Sequence, residues 1–285
     1  MLYLPPPRQL DQALLCGGDT DLRLEAVHRL VPGDVPLGGW AALRRLGVDA
    51  LDGRTGPSGS TLLPITVCTG PVGRLRLQPG LAVDRSTLLD VDVVERDGVL
   101  MTSAERSCLD VMRFFGAEEG LVAADATVRA GFTTKERLTA ALARMSGLKG
   151  VPRARLAVSL VDGRAESLPE SRLRYVWVVE AKLPVPLVNP VVVDLAGRFV
   201  ARADLVDPDA GTVGEYDGSQ HRELAQHTAD NVREEDIEGL NLQVTRSTSL
   251  DLWPHRRRLV DRLRVAHQRG IDRDRGKDAW GIRLP

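Results

Sequence analysis

Paired cysteines are missing from this sequence. Its three cysteines, Cys16, Cys68 and Cys108, are odd in number, far apart and without a C-x-x-C pair. Neither a disulfide framework nor a cysteine zinc site is indicated, and a reducing cytoplasm is the expected setting. Aromatic residues are also scarce, at 4%, so the cores must be built from Leu, Val and Ala. No apolar run approaches the length of a membrane span, and "MLYLPPPRQLDQALLCGG" lacks the basic segment followed by an apolar stretch that marks a secretion signal. A protein neither secreted nor embedded in a membrane is expected. A strong net charge is absent too: the formal value is -1, which gives no global attraction to nucleic acid. Any nucleic-acid surface must be local. The best local stretch is "HRRRLVDRLRVAHQRGIDRDRGK", whose interleaved aspartates favour a solvated helix face.

What is present is an ordinary globular composition, 43% hydrophobic and 27% charged, on a chain of 285 residues that is long enough for more than one core. From Leu10 to Gly47 short apolar stretches alternate with Gly and Pro, and "GGWAALRRLGV" has the spacing of a short helix with Trp40, Leu43 and Leu46 on one side. Short strands follow in "TLLPITVCTG", "GRLRLQPG" and "LLDVDVVERDGVLMTS", the last through an Asp-Gly turn. Residues 1–100 therefore read as a small α+β module. Residues 101–160 read as helical: "TSAERSCLDVMRFFG" begins at a Thr102 or Ser103 cap, and "AEEGLVAADATVRAG" and "TTKERLTAALARMSG" end at Gly131 and Gly147.

Residues 161–285 have the order α-β-β-β-α-β-α, which predicts a mixed sheet covered by helices on both sides. Within them "VARADLVDPDAGTVGEYDGSQH" places Asp204 at the end of one strand and Glu215 and Asp217 late in the next. If the strands pair across the intervening turn, the acids converge on one sheet edge. Oxygen ligands of this kind suit Mg²⁺, which takes only one or two protein carboxylates and leaves its other positions to water and phosphate. A charged hairpin with a solvated edge accounts for the same pattern, and stabilisation of a helix N-terminus accounts for Glu166 and Glu170. His227 and His255 carry no argument beyond surface histidines.

The segments "RAESLPESRLRYV", "RFVARADLVDP", "GEYDGSQH", "ADNVREEDIEGL" and "LQVTRST", over about residues 164 to 265, together resemble the PD-(D/E)XK nuclease superfamily, and within it the very-short-patch-repair-like endonuclease domains. The resemblance implies an α/β, restriction-endonuclease-like mixed sheet flanked by helices. It implies Mg²⁺ (or Mn²⁺) on Asp204 with Glu215 or Asp217, and Glu170 or Glu166 as the helix carboxylate. It also implies proton transfer or phosphate contact by His221, and a phosphate held by Arg233 on the helix that carries Asp230. Asp217 stands where the superfamily has its motif lysine, so the resemblance leaves His221 or Arg233 to supply positive charge. "LVPGDVPLGGWAALRRLGV", "VLMTSAERSCLDV" and "EGLVAADATVRAGFTTKERL" resemble the amino-terminal region of actinobacterial proteins related to the AbiEi antitoxin of type IV toxin–antitoxin systems. That resemblance implies a winged-helix, DNA-binding module, here truncated or degenerate, since no basic recognition helix is legible. The expected activity is metal-dependent phosphodiester hydrolysis, most readily of DNA, in repair or phage defence. The alternative is a non-catalytic DNA-binding antitoxin or regulator with an inactive nuclease fold. A homodimer and a toxin or other protein partner stay open.

Overall fold

A computed structural model describes residues 7–218 and 239–284, and the chain divides into two compact units, one up to Gly163 and one from Arg164 onward. In the first unit the stretch that reads as broken apolar segments is a pair of packed helices, α1 (Pro7–Gly17) and α2 (Thr20–Leu30), with Asp19 capping α2 by accepting from the Leu22 N–H at 2.9 Å. The expected short helix is α3 (Gly39–Leu46), with Trp40 and Leu43 buried and Gly47 closing it in the left-handed region at φ 112°. A mixed five-stranded sheet runs in the order β5-β4-β1-β7-β6. Its strands are β1 (Leu37–Gly38), β4 (Ile65–Cys68), β5 (Leu81–Asp84), β6 (Val93–Arg96) and β7 (Val99–Thr102). β2 (Arg54–Thr55) and β3 (Thr61–Leu62) form a separate small hairpin. Asp97 and Gly98, both at positive φ, make the tight turn between β6 and β7. The helices α4 (Ala104–Phe115), α5 (Ala117–Arg129), α6 (Lys135–Arg144) and α7 (Val151–Leu160) complete the unit. α4 packs against α3 and β1 as well as against α5, α6 and α7, so helices and sheet share one unit.

The second unit opens with α8 (Leu168–Tyr175). Ser167 caps it by accepting from the Glu170 N–H at 3.3 Å, Pro169 sits in its first turn, and the helix widens into a π-helical turn over Val176–Glu180. Strands β8 (Leu187–Val188), β9 (Val191–Asp194), β10 (Phe199–Arg202), β11 (Leu205–Asp207), β12 (Thr212–Tyr216) and β13 (Gln243–Ser247) follow. After them come α9 (Ser249–Leu252), α10 (Arg256–Ile271) and β14 (Trp280–Arg283). A four-stranded sheet, β13-β12-β11-β8, is mixed: β12 and β13 run parallel and the other pairs antiparallel. The alternation of side chains sorts its faces. Leu205 packs with Leu173, Trp177, Leu259 and Leu263 of the helices, whereas Val206 and Val213 pack with Val192 and Ala201 of a second sheet, β10-β9-β14. Among the described residues, then, helices line one face and a three-stranded sheet lines the other, where the sequence pattern predicts helices on both. The closing strand β14, which pairs with β9 from Trp280↔Asp194 to Arg283↔Val191, has no counterpart in the sequence reading.

Candidate active site

The parallel strands β12 and β13 end side by side, and the carboxyl ends of parallel strands are where open α/β sheets bind ligands. Gly214 lets α8 approach this edge: a Cβ there would meet the Trp177 ring at 3.0 Å. The β11–β12 ladder ends at Leu205↔Gly214, and Asp204 and Glu215 are the residues that adjoin this last pair. Asp204 turns back onto the end of β12, its Oδ2 accepting from the Tyr216 N–H at 2.7 Å. Its carboxylate is thereby fixed against the residue between Glu215 and Asp217. Asp217, half-buried just past β12, donates its N–H to the Ser247 carbonyl at 2.7 Å, and the Ser247 hydroxyl donates to the Glu215 carbonyl at 3.0 Å. Burial, and then the neighbouring Asp217, push the Tyr216 phenol above its ordinary range.

Glu170 is buried on the first turn of α8, where its Oε2 accepts from the Glu166 N–H at 2.7 Å and from Asn189 Nδ2 at 2.9 Å. Asn189 also donates its backbone N–H to the Asp204 carbonyl at 2.9 Å, so one residue ties the helix carboxylate to the Asp204 turn. It sits at φ 51°, a conformation Asn tolerates better than most side chains. Glu166 is exposed and pairs with Arg202 at 2.7 Å, on the rim. Arg174, one helical turn after Glu170, is buried.

Among the described residues, a positive charge at this edge comes from a residue the sequence reading passed over. Arg246 faces Glu215 across the parallel register, with its Nε 3.7 Å from Glu215 Oε2. Its signal in the sequence is a lone arginine inside the strand "LQVTRST", which acquires meaning only with the register. His221 and Arg233, expected to supply that charge, lie outside the described residues, as do Asp230 and His227. His255 is an exposed residue preceding α10, and Arg256 beside it pairs with Glu180 at 2.9 Å, so "WPHRRR" is a helix start.

The donor set of Asp204, Glu215 and Asp217 is all oxygen, which suits a hard divalent ion. The three do not form a closed cage: among the described residues the trio whose ligand atoms all lie within 4.8 Å is Cys68, Asp84 and Asp110 of the first unit. An open site with one or two carboxylates is nevertheless the usual arrangement for Mg²⁺, whose remaining positions go to water and substrate phosphate.

The first-unit trio is committed to arginines. Arg106 Nη2 lies 2.6 Å from Asp84 Oδ2 and its Nε 3.0 Å from Asp110, while Arg113 Nη1 lies 2.7 Å from Asp110 and 3.4 Å from Asp84. Burial, followed by Asp110 and Asp84, pushes the Cys68 thiol well above its ordinary range, so it is a protonated thiol and a poor ligand. The segment "TSAERSCLD" is thus accounted for inside the fold. Ser103 caps α4, Glu105 accepts from the Thr133 hydroxyl and Arg137, both at 2.8 Å, Ser107 bonds Thr102, and Arg106 and Asp110 hold the charge network.

No family model and no solved structure matches the chain. Two curated proteins of Mycobacterium tuberculosis are similar to it, uncharacterized protein MT2308 of strain CDC 1551 / Oshkosh and uncharacterized protein Rv2248 of strain ATCC 25618 / H37Rv. Each is 27% identical over 206 residues, which is 72% of this chain and 73% of the relative. No described helix is long and apolar enough to cross a membrane.

Proposed function

We propose that the second unit is a metal-dependent endonuclease domain that hydrolyses phosphodiester bonds, in DNA before RNA, with Mg²⁺ or Mn²⁺ held by Asp204 and Glu215. The observation that carries this reading is the Asp204 carboxylate held at 2.7 Å on the N–H of Tyr216, the residue between Glu215 and Asp217, at the carboxyl ends of two parallel strands. A divalent ion bound there supplies an activated water and charge stabilisation on the phosphate. The chain's own groups do the rest. Asp204 and Glu215 offer oxygen ligands and Asp217 a further acceptor. Glu170, fixed by Asn189, places a second layer of negative charge behind Asp204. Arg246 sets a guanidinium beside the acids, in the role the motif lysine plays in the resembled superfamily: offsetting charge on the phosphate.

The alternative, a DNA-binding regulator whose nuclease fold has lost its chemistry, is favoured by Asp217 standing at the lysine position and by the absence of a closed three-acid group there among the described residues. The two readings separate in one assay, nicking of supercoiled plasmid in Mg²⁺ or Mn²⁺ by wild type and Asp204→Asn. The asparagine keeps an oxygen for the Tyr216 N–H, so the variant folds. Nicking by wild type that chelation and Asp204→Asn both abolish supports the enzyme. Equal nicking by both proteins, or none by either across metals and substrates, rejects it.

A further inference from the structure

We infer that the groove between β13 and α10 seats the phosphate backbone of a single nucleic-acid strand and leads it to the acidic centre, an inference that rests on the phosphodiesterase reading above. The groove encloses about 490 Å³ between β13 and one stripe of α10. Arg258, Arg262, Val265 and Arg269 recur at helical spacing along that stripe, which at 1.5 Å per residue extends over about 16 Å. Arg246 borders the same groove from the strand side; Arg246 faces Glu215 and Arg262 is bonded to Asp251, so Arg258 and Arg269 stand against the remaining carboxylate, Asp261. On a chain of net charge -1 this is a local concentration of positive charge, the form a polyanion surface must take here.

The arginines divide by task. Arg262 is a wall: its Nη2 donates to Asp251 at 2.8 Å and to the Arg246 carbonyl at 3.1 Å, which ties α10 to β13. Arg258 and Arg269 are exposed and make no ion pair among the described residues, so each can meet a phosphate without first breaking a contact. Arg246 is common to the groove and the site: it borders the groove, where its carbonyl accepts from Arg262, and its Nε lies 3.7 Å from Glu215 Oε2. The groove also carries apolar surface, from a half-exposed Val265 on α10 and the part of Val244 not packed against the second sheet, on which sugars and bases rest without base-specific hydrogen bonds. A phosphate chain flanked by apolar rings matches this combination of guanidinium rim and aliphatic surface, whereas an acidic peptide would leave that surface unused.

The test is fluorescence anisotropy of the full chain with a labelled single-stranded oligonucleotide, without divalent ions, between about 50 and 200 mM salt. If Arg246, Arg258 and Arg269 each neutralise one phosphate, log affinity falls against log salt with a slope of about -2, and Arg258→Ala/Arg269→Ala flattens that slope by about 1.4. The double variant should also lose at least about tenfold in affinity, since each arginine–phosphate contact is a charge-assisted bond. Asp204→Asn should bind as tightly as wild type while failing to cleave. Unchanged affinity and slope in the double variant overturn the groove assignment. Tighter binding of polyglutamate than of the oligonucleotide overturns it in favour of an acidic protein partner. Should Asp204→Asn cleave like wild type while the double variant fails to bind, the groove stands and the catalytic reading falls.

Discussion

Replacing Arg106 with Met tests the physical account of the first unit. The guanidinium is almost fully buried and meets Asp84 at 2.6 Å, Asp110 at 3.0 Å and Asp92 at 3.4 Å, with Ser86 Oγ at 2.6 Å. Methionine fills most of the volume but leaves Arg113 alone to face Asp84 and Asp110. Breaking a buried ion pair by removing one partner costs about 3–5 kcal/mol, because the remaining charge is buried and uncompensated. That is a large part of the ~5–15 kcal/mol by which a domain is stable. Read by hydrogen-exchange mass spectrometry on peptides from α4, the loss should speed exchange by roughly 10²- to 10⁴-fold at pH 7.5 if those amides open with the whole unit.

The effect of Arg106→Met should shrink toward pH 5. Burial already pushes Asp110 up to about 6 in the wild type, against Arg106 and Arg113, and without Arg106 both Asp110 and Asp84 take up protons more readily. The variant's native state then binds more protons than the wild type's, so its destabilisation grows with pH. A change of less than about tenfold at pH 7.5, or one that grows on acidification, would refute the reasoning.

Further outcomes follow from the same contacts. Asp110→Asn removes a carboxyl whose folded pKa, about 6, lies above its ordinary 3.8. The wild-type carboxyl contributes most below pH 4 and loses that contribution as pH rises through 6, so urea titrations should show wild type losing roughly 3 kcal/mol relative to the variant over that window. Gly214→Ala places a methyl 3.0 Å from the Trp177 ring and should cost ~1–3 kcal/mol in urea unfolding of the second unit, with cleavage reduced alongside. Asn189→Gly keeps the left-handed backbone but deletes the donor to Glu170, and should cost ~1.5–3 kcal/mol with a fall in cleavage rate. Asn189→Ala adds backbone strain and should be worse than Asn189→Gly by a measurable margin; the reverse order would contradict the role given to φ.

The local elements were legible because their signals are local. The Ser103 cap, the Gly131 stop after α5 and the Asp97-Gly98 turn each depend on a few neighbouring residues and stand where the sequence pattern places such signals. What escaped depends on partners distant in the chain. β14 is four residues whose strand character comes from pairing with Val191–Asp194, nearly ninety positions earlier, which no periodicity reveals. Gly17 and Gly18 read as breaks without showing that two helices flank them. Asp204 and Glu215 were candidates from residue type and strand order, and Glu170 or Glu166 from the resemblance. Asn189 and Arg246 were not, because their importance comes from a bond across the turn and a parallel register. The arginines of α10 read as a solvated face until β13 supplies the opposite wall of the groove.

The central claim, that Asp204 and Glu215 form a divalent-cation site, is tested most directly by anomalous diffraction from crystals grown with Mn²⁺. The account predicts a peak roughly 2 Å from carboxylate oxygens of Asp204 and Glu215, completed by waters, and lost in Asp204→Asn. A peak at Cys68, Asp84 and Asp110 instead, or none at the second-unit acids at saturating Mn²⁺, would contradict it.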